Sequence, residues 1–241
     1  MRGVILAAGK GARLNGTAAD RPKCLVKIGG VSLLKRQIDA LRAAGVRDIV
    51  VVVGYQADRV RREAGAEVTI VENPRFAETN SLYSLWLARG FLPGGFIALN
   101  CDVLFHPRLL DDLLTARYED ALLVAPRESS TPYGPEEMKV TVRAGRVVAM
   151  SKSLDPVDAD GENVGIVRFG PSGARVLVDI MDRTIAGGRL RDWAPYAFER
   201  FASERPLYAI GTRGLPWIEI DFPEDYRRAV GEVLPLIENA T

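Results

Sequence analysis

The stretch Asp48-Ile-Val-Val-Val-Val53, like Val4-Ile-Leu-Ala-Ala8 before it, carries an apolar run with no polar alternation. Strands of that kind are buried on both faces, so the chain must lay helices on each side of a sheet. Helical patterns do fall between such runs. Ser32 caps a helix that sets Leu34, Ile38 and Leu41 on one face, and Gly45 stops it. Ala57 to Ala64 reads as a short polar helix, Val68 to Val71 as a third strand and Asn80 to Arg89 as a helix. Phe96 to Asn100 is a fourth strand, Pro107 to Thr115 a helix and Ala121 to Ala125 a fifth strand. Strand alternating with helix predicts right-handed crossovers and parallel pairing.

From Pro126 onward Pro, Gly and Ser increase, and Lys139 to Val142 and Arg146 to Met150 read as an antiparallel pair around Ala144-Gly145. Val164 to Phe169 is another strand, followed by helices near Gly173 to Ile185 and Asp192 to Phe201. Trp217 to Ile220 is a last short strand, and Pro223 opens the final helix. The expected fold is an α/β three-layer sandwich with a mostly parallel, Rossmann-like central sheet and a smaller antiparallel lid or acceptor-binding portion. No repeat or flexible linker divides it, so residues 1–241 read as one domain. Residues 1–125 are its nucleotide-sized half, and residues 126–241 build the lid or acceptor pocket.

Composition narrows the chemistry. No apolar stretch approaches the roughly 18 residues that span a bilayer, and no signal-peptide pattern opens the chain, so a soluble, cytoplasmic protein is expected. Two cysteines, Cys24 and Cys101, form no disulfide framework, and one histidine, His106, argues against zinc or a Ser-His triad. A net charge of +1 gives no reason to expect nucleic-acid binding. The distribution is more telling: residues 1–75 hold 14 Lys/Arg against 7 Asp/Glu, and the remainder 18 against 24. A basic region facing an acidic one suits a polyphosphate with a divalent metal, although scattered surface charge would give the same counts.

The first strand ends in Gly9-Lys-Gly-Ala-Arg13. Free backbone N–H groups in such a turn can cradle a phosphate. It is not a Walker loop, because no Gly-Lys-Ser/Thr opens a helix after a fixed gap. It is not a dinucleotide fingerprint either, since Gly9, Gly11 and Gly16 are misspaced and no acidic residue ends the second strand. Leu99-Asn-Cys-Asp102 closes a central strand, where open α/β sheets bind ligands, and a buried carboxylate there must be paired. In Trp217-Ile-Glu-Ile-Asp221, strand alternation puts Glu219 and Asp221 on one face, with helix capping as the competing role for Asp221.

Taken as one unit, Leu6-Ala-Ala-Gly-Lys-Gly-Ala-Arg13, a gap, then Pro22-Lys23 resembles the signature of nucleoside-triphosphate transferases, with Ala12 where Ser or Thr is usual. Arg42 to Tyr55, the stretch through Asp102 and residues 217–228 extend the similarity over most of the chain. The resemblance implies a nucleotidyltransferase in which Lys23, Arg13 and Asp102 are catalytic. Arg13 would meet the β- and γ-phosphates and Lys23 the α-phosphate, with backbone at Ala7, Ala8, Gly9 and Gly11 around the nucleotide. Asp102 and Asp221 would hold Mg²⁺, with Glu219 as a third candidate ligand. The role of Lys10 is the least defined in the turn.

Glu72 to Ala88, and again Glu136 to Val140, Met150 to Lys152 and Glu162 to Phe169, resemble the branch containing bacterial phosphocholine, 2-aminoethylphosphonate and inositol 1-phosphate cytidylyltransferases. That likeness implies CTP and a small phosphorylated acceptor as partners. It places Asn80 and Ser81 at the base, unless Asn80 is only a helix cap, and Lys152 at the acceptor's phosphate. Tyr133, Glu162, Trp193 and Trp217 would surround a cationic head group, by the attraction of aromatic faces and carboxylates for amines. Two alternatives remain: a sugar- or cyclitol-1-phosphate nucleotidyltransferase, and a non-catalytic nucleotide-binding relative. A homodimer is left open.

Overall fold

The computed structural model describes residues 1–11, 21–126 and 133–239. The chain forms β1 (Arg2–Ala7), β2 (Lys27–Ile28), β3 (Val31–Ser32), α1 (Leu33–Ala43), β4 (Ile49–Val53), α2 (Ala57–Ala64), β5 (Thr69–Glu72) and α3 (Ser81–Leu87). It continues with β6 (Phe96–Asn100), β7 (Val103–Phe105), α4 (Arg108–Thr115), β8 (Ala121–Pro126), β9 (Lys139–Arg143), β10 (Arg146–Ser151) and β11 (Gly161–Phe169). The last elements are α5 (Pro171–Ala186), α6 (Ala194–Glu204), β12 (Tyr208–Gly211), β13 (Trp217–Glu219), α7 (Pro223–Arg228) and α8 (Leu234–Asn239). A π-helical turn, Ala229–Val233, joins α7 to α8.

The unbroken apolar runs are interior strands: β1 pairs in parallel with β4 on one side and β6 on the other. Val4, Val50 and Val52 share a core with Leu82 of α3, Leu177 of α5 and Phe198 of α6. Ile5, Val51 and Val53 share another with Leu34 and Ile38 of α1, Val60 of α2 and Leu110 of α4. Each strand therefore buries both faces, which is why it has no polar positions. The start of α1 is as expected, with the Ser32 hydroxyl accepting from the Lys35 amide at 3.2 Å.

The three layers are present, but the expectation of a mostly parallel sheet is corrected. The main sheet has nine strands in the order β5-β4-β1-β6-β11-β8-β12-β10-β9, and it is mixed. The cause is β11, which runs antiparallel to β6 and β8 and also pairs with β9 through Gly161 and Glu162. From β8 the pairing passes through β12 and β10 back to β9, so five strands close a small barrel. The antiparallel portion is thus a continuation of the central sheet rather than a separate lid. The sequence pattern shows Val164 to Phe169 but not the start of this strand, and Tyr208–Gly211 is too short to register as periodic.

Phe169 joins the barrel to the helices beside it. Its ring lies 5.4 Å from that of Phe96, 5.6 Å from Phe198 and 4.9 Å from Phe201. Phe169→Ala is expected to cost about 3–5 kcal/mol in urea unfolding, through lost burial, aromatic contacts and a residual cavity. A loss below about 1 kcal/mol would mean that the cluster is not a keystone of the core.

Candidate active site

The two aspartates reach each other through a short ladder. Asp102 follows β6, in the turn between Asn100 and Val103. The buried Gln37 of α1 clamps that turn, its amide nitrogen donating to the carbonyl oxygens of Asn100 (2.8 Å) and Val103 (2.9 Å). Strand β7 then pairs antiparallel with β13, placing Glu219 opposite Val103, and the Ile220 amide donates to the Asp102 carbonyl at 3.0 Å. This register brings Asp102, Glu219 and Asp221 to one end of the ladder. One carboxylate oxygen from each lies within 4.8 Å of those of the other two. The capping alternative for Asp221 is not what the structure shows. Asp225 caps instead, accepting from the amides of Asp221 (3.0 Å) and Phe222 (2.8 Å).

Lys23 completes the cluster. It opens a 3-10 turn, Lys23–Leu25, and is buried. Its ammonium donates to Asp102 Oδ2 at 2.7 Å and to Asp221 Oδ1. Burial works against its charge, yet the two carboxylates outweigh burial and hold its pKa above the usual lysine value. Its stem lies beneath the glycine turn. Gly11 has φ +66, and a Cβ there would sit 2.8 Å from Lys23 Cβ, so both conformation and space call for glycine. Glu219 receives no such rescue. Its pKa is pushed up to about 8 by burial and by Asp102 and Asp221, with Lys23 opposing.

Two cavities meet at this cluster, and Glu219 lines both. The first is about 190 Å³ and is lined by Ala8, Gly9, Gly11, Lys23, Asn80, Ser81 and Asp102 among others. Most of the residues expected around a nucleotide therefore come together. Ala7 faces the α1 side of the core, and Arg13 lies outside the described residues. Lys10 is exposed, its ammonium 5.5 Å from the centre of the Tyr55 ring. The Asn80 carboxamide accepts from the Ser81 amide at 2.8 Å at the start of α3, so its capping role is real. The Ser81 hydroxyl accepts from the Ala194 amide at 2.8 Å.

The sequence reading passed over Asn73 and Ser84, which also line this cavity. Asn73 Oδ1 accepts from the Arg75 amide at 2.9 Å, which fixes the orientation of its carboxamide. Its nitrogen then donates to Thr79 Oγ1 (3.1 Å) and Ser84 Oγ (3.0 Å). With that oxygen already accepting, the Ser84 hydroxyl proton is available to donate into the cavity. A buried Asn in a Glu72-Asn-Pro-Arg turn, paired with a serine eleven positions on, gives no periodic signal.

The second cavity, about 410 Å³, is acidic and aromatic. Tyr133, Glu162 and Trp217 line it together with Glu137 and Asp221. Of the four residues expected around a cationic head group, three line this cavity, and Trp193 lines the other. Trp193 is 43% exposed and lines the first cavity, its ring 4.6 Å from the Lys152 ammonium. Lys152 also pairs with Glu136 at 3.0 Å. Glu162 is pushed up to about 7 by burial and by Glu137, with Lys139 opposing, and the buried Glu137 Oε2 accepts no hydrogen bond among the described residues.

The raised pKa of Glu162 makes stability depend on pH. The folded form keeps a proton that the unfolded chain releases near pH 4.5, so this favourable contribution is complete below that pH and is lost as pH rises through about 7. Glu162→Gln is expected to unfold like the parent at about pH 3.5 and to be more stable by about 1–3 kcal/mol at pH 8.5 in urea titrations without ligand. An equal gap at both pH values would refute the assignment.

Comparison with known proteins identifies the family of the chain. Residues 3–208 match the MobA-like NTP transferase domain. The chain is 32% identical over 234 residues to the bifunctional IPC transferase and DIPP synthase of Rubrobacter xylanophilus, covering 95% of this chain and 51% of that protein. It is also 32% identical over 247 residues to the CMP-5'-(3-aminopropyl)phosphonate synthase of Streptomyces rubellomurinus, covering 95% of this chain and 38% of that one. The chain thus spans about half or less of these two relatives. The fold is similar to the CTP:phosphocholine cytidylyltransferase of Streptococcus pneumoniae, with a TM-score of 0.75, 24% identity and coverage of 100% and 99% of the two chains. The chain belongs to the MobA-like NTP transferase family of nucleotidyltransferases.

Proposed function

We propose that the protein transfers CMP from CTP to a small phosphorylated or phosphonate acceptor that carries an amine, releasing pyrophosphate. The observation that carries this reading is the place of Lys23 and the three carboxylates, at the wall between a glycine-lined cavity and an acidic, aromatic one. A nucleotide in the first cavity and an acceptor in the second would meet across that wall.

The acceptor's phosphate oxygen is already an anion, so attack on the α-phosphorus needs no general base, and the single histidine is no obstacle. Lys23, turned from the carboxylates to the α-phosphate, would balance charge as the bond to pyrophosphate breaks. Arg13 is proposed to meet the departing phosphates. Asp102 and Asp221, with Glu219 beside them, fit Mg²⁺: all are oxygen donors, and the buried Asp102 Oδ1 accepts no hydrogen bond among the described residues. Bound there, Mg²⁺ would neutralise phosphate charge.

Two features support the finer choice of substrates. The Ser84 hydroxyl is poised as a donor, and cytosine N3 accepts a hydrogen bond where uracil N3–H donates one. Glu137 and Glu162 form a carboxylate pair in need of N–H donors, which a primary ammonium provides. The relative from Streptomyces rubellomurinus is named for an aminopropylphosphonate product. The test is pyrophosphate release with Mg²⁺ across four nucleoside triphosphates and a panel of phosphocholine, phosphoethanolamine, 2-aminoethylphosphonate, inositol 1-phosphate and hexose 1-phosphates. CTP with an amine-bearing acceptor should lead. Asp102→Asn should lose about 10²- to 10³-fold in kcat, roughly 3–4 kcal/mol. Ser84→Ala should narrow the preference for CTP over UTP by about 10-fold. No release from any pair would remove the enzyme reading.

A further inference from the structure

Lys23 and a divalent cation have claims on the same oxygens. The Lys23 ammonium bridges Asp102 Oδ2 and Asp221 Oδ1, two of the three carboxylates of the cluster. A magnesium ion taking such oxygens at about 2.1 Å would stand against the ammonium that already donates to both residues, and two cations so close repel. The lysine's stem is held under Gly11, and its head sits at the edge of the glycine-lined cavity. An anion entering that cavity offers the head a second partner within reach of a side-chain rotation.

We propose that Lys23 plugs the cation position in the nucleotide-free protein, so that the acidic cluster takes a divalent ion only when a triphosphate draws the lysine away. The side chain then alternates between two anionic partners and remains protonated in both. In the free protein it neutralises carboxylates that would otherwise repel one another. In the nucleotide complex it serves the phosphate, and the carboxylates pass to the metal. Metal and nucleotide therefore bind with positive coupling, each raising the affinity of the other by the same factor. The inference rests on the proposed metal site but not on the identity of the acceptor.

The probe is Mn²⁺, followed by electron paramagnetic resonance and calorimetry on the full chain. The nucleotide-free protein should bind Mn²⁺ weakly. A non-transferable CTP analogue with a methylene between the α- and β-phosphorus should tighten it at least 10-fold, beyond chelation by the analogue alone. Lys23→Met should bind Mn²⁺ at least 10-fold more tightly than the parent with no nucleotide present. If the parent alone binds one Mn²⁺ as tightly as it does with the analogue, the plug is refuted, and this arm decides even if the variant does not fold. Equal Mn²⁺ affinity of a folded Lys23→Met and the parent would refute it as well. Silence in the pyrophosphate assay alongside strong Mn²⁺ coupling would count against the proposed reaction and leave the plug standing.

Discussion

One ammonium buried among three carboxylates sets the terms for the rest of the structure. Asp102, Glu219 and Asp221 crowd within 4.8 Å, and like charges so close are tolerated only with compensation. Lys23 provides that compensation to two of them, while Glu219 responds by holding its proton up to about pH 8. Such a grouping costs desolvation and does little for stability by itself. Its geometry has to be imposed from outside, by Gln37 on the Asn100–Val103 turn, by the β7–β13 register and by the turn beneath Gly11.

Much of this could be read from the residues, for reasons that differ between elements. The interior strands were legible because burial on both faces leaves only apolar residues, and Ser32 and Pro223 mark helix starts by local chemistry. Asp102 stood out because a carboxylate at the end of an apolar strand has few structural uses. The mixed sheet was not legible. Strand direction in β11 is decided by what it pairs with, not by its own pattern, and β12 is only four residues long. Gln37 and Ser84 were hidden for another reason: each lies on a helix whose pattern is satisfied without it, and its importance comes from partners 63 and 11 positions away. The group of four around a cation was only partly visible, since the chain order of Trp193 does not tell which cavity its ring will face.

The charge asymmetry along the chain acquires a location in the fold. The basic stretch of residues 1–75 contributes Lys23 and the glycine turn, whereas the acidic remainder contributes Asp102, Glu137, Glu162, Glu219 and Asp221. The two meet at the wall between the cavities. A triphosphate is repelled by the acidic cavity and an ammonium is not, so the same field would sort a nucleotide from an amine-bearing acceptor of the kind proposed.

A third, smaller core carries a consequence for how the molecule comes into being. Val26 and Ile28, just after Lys23, pack with Leu104 after Asp102, with Ile218 and Ile220 before Asp221, and with Ala229, Val233, Leu234 and Ile237. The ion pair it encloses joins residues 198 positions apart. During synthesis the glycine turn and its lysine emerge long before the strand that supplies Glu219 and Asp221. Until that strand arrives and the third core closes over it, a nascent chain can possess a sheet and a nucleotide-sized cleft with no complete charge cluster. During synthesis the charge cluster can therefore be completed only once residue 221 has emerged.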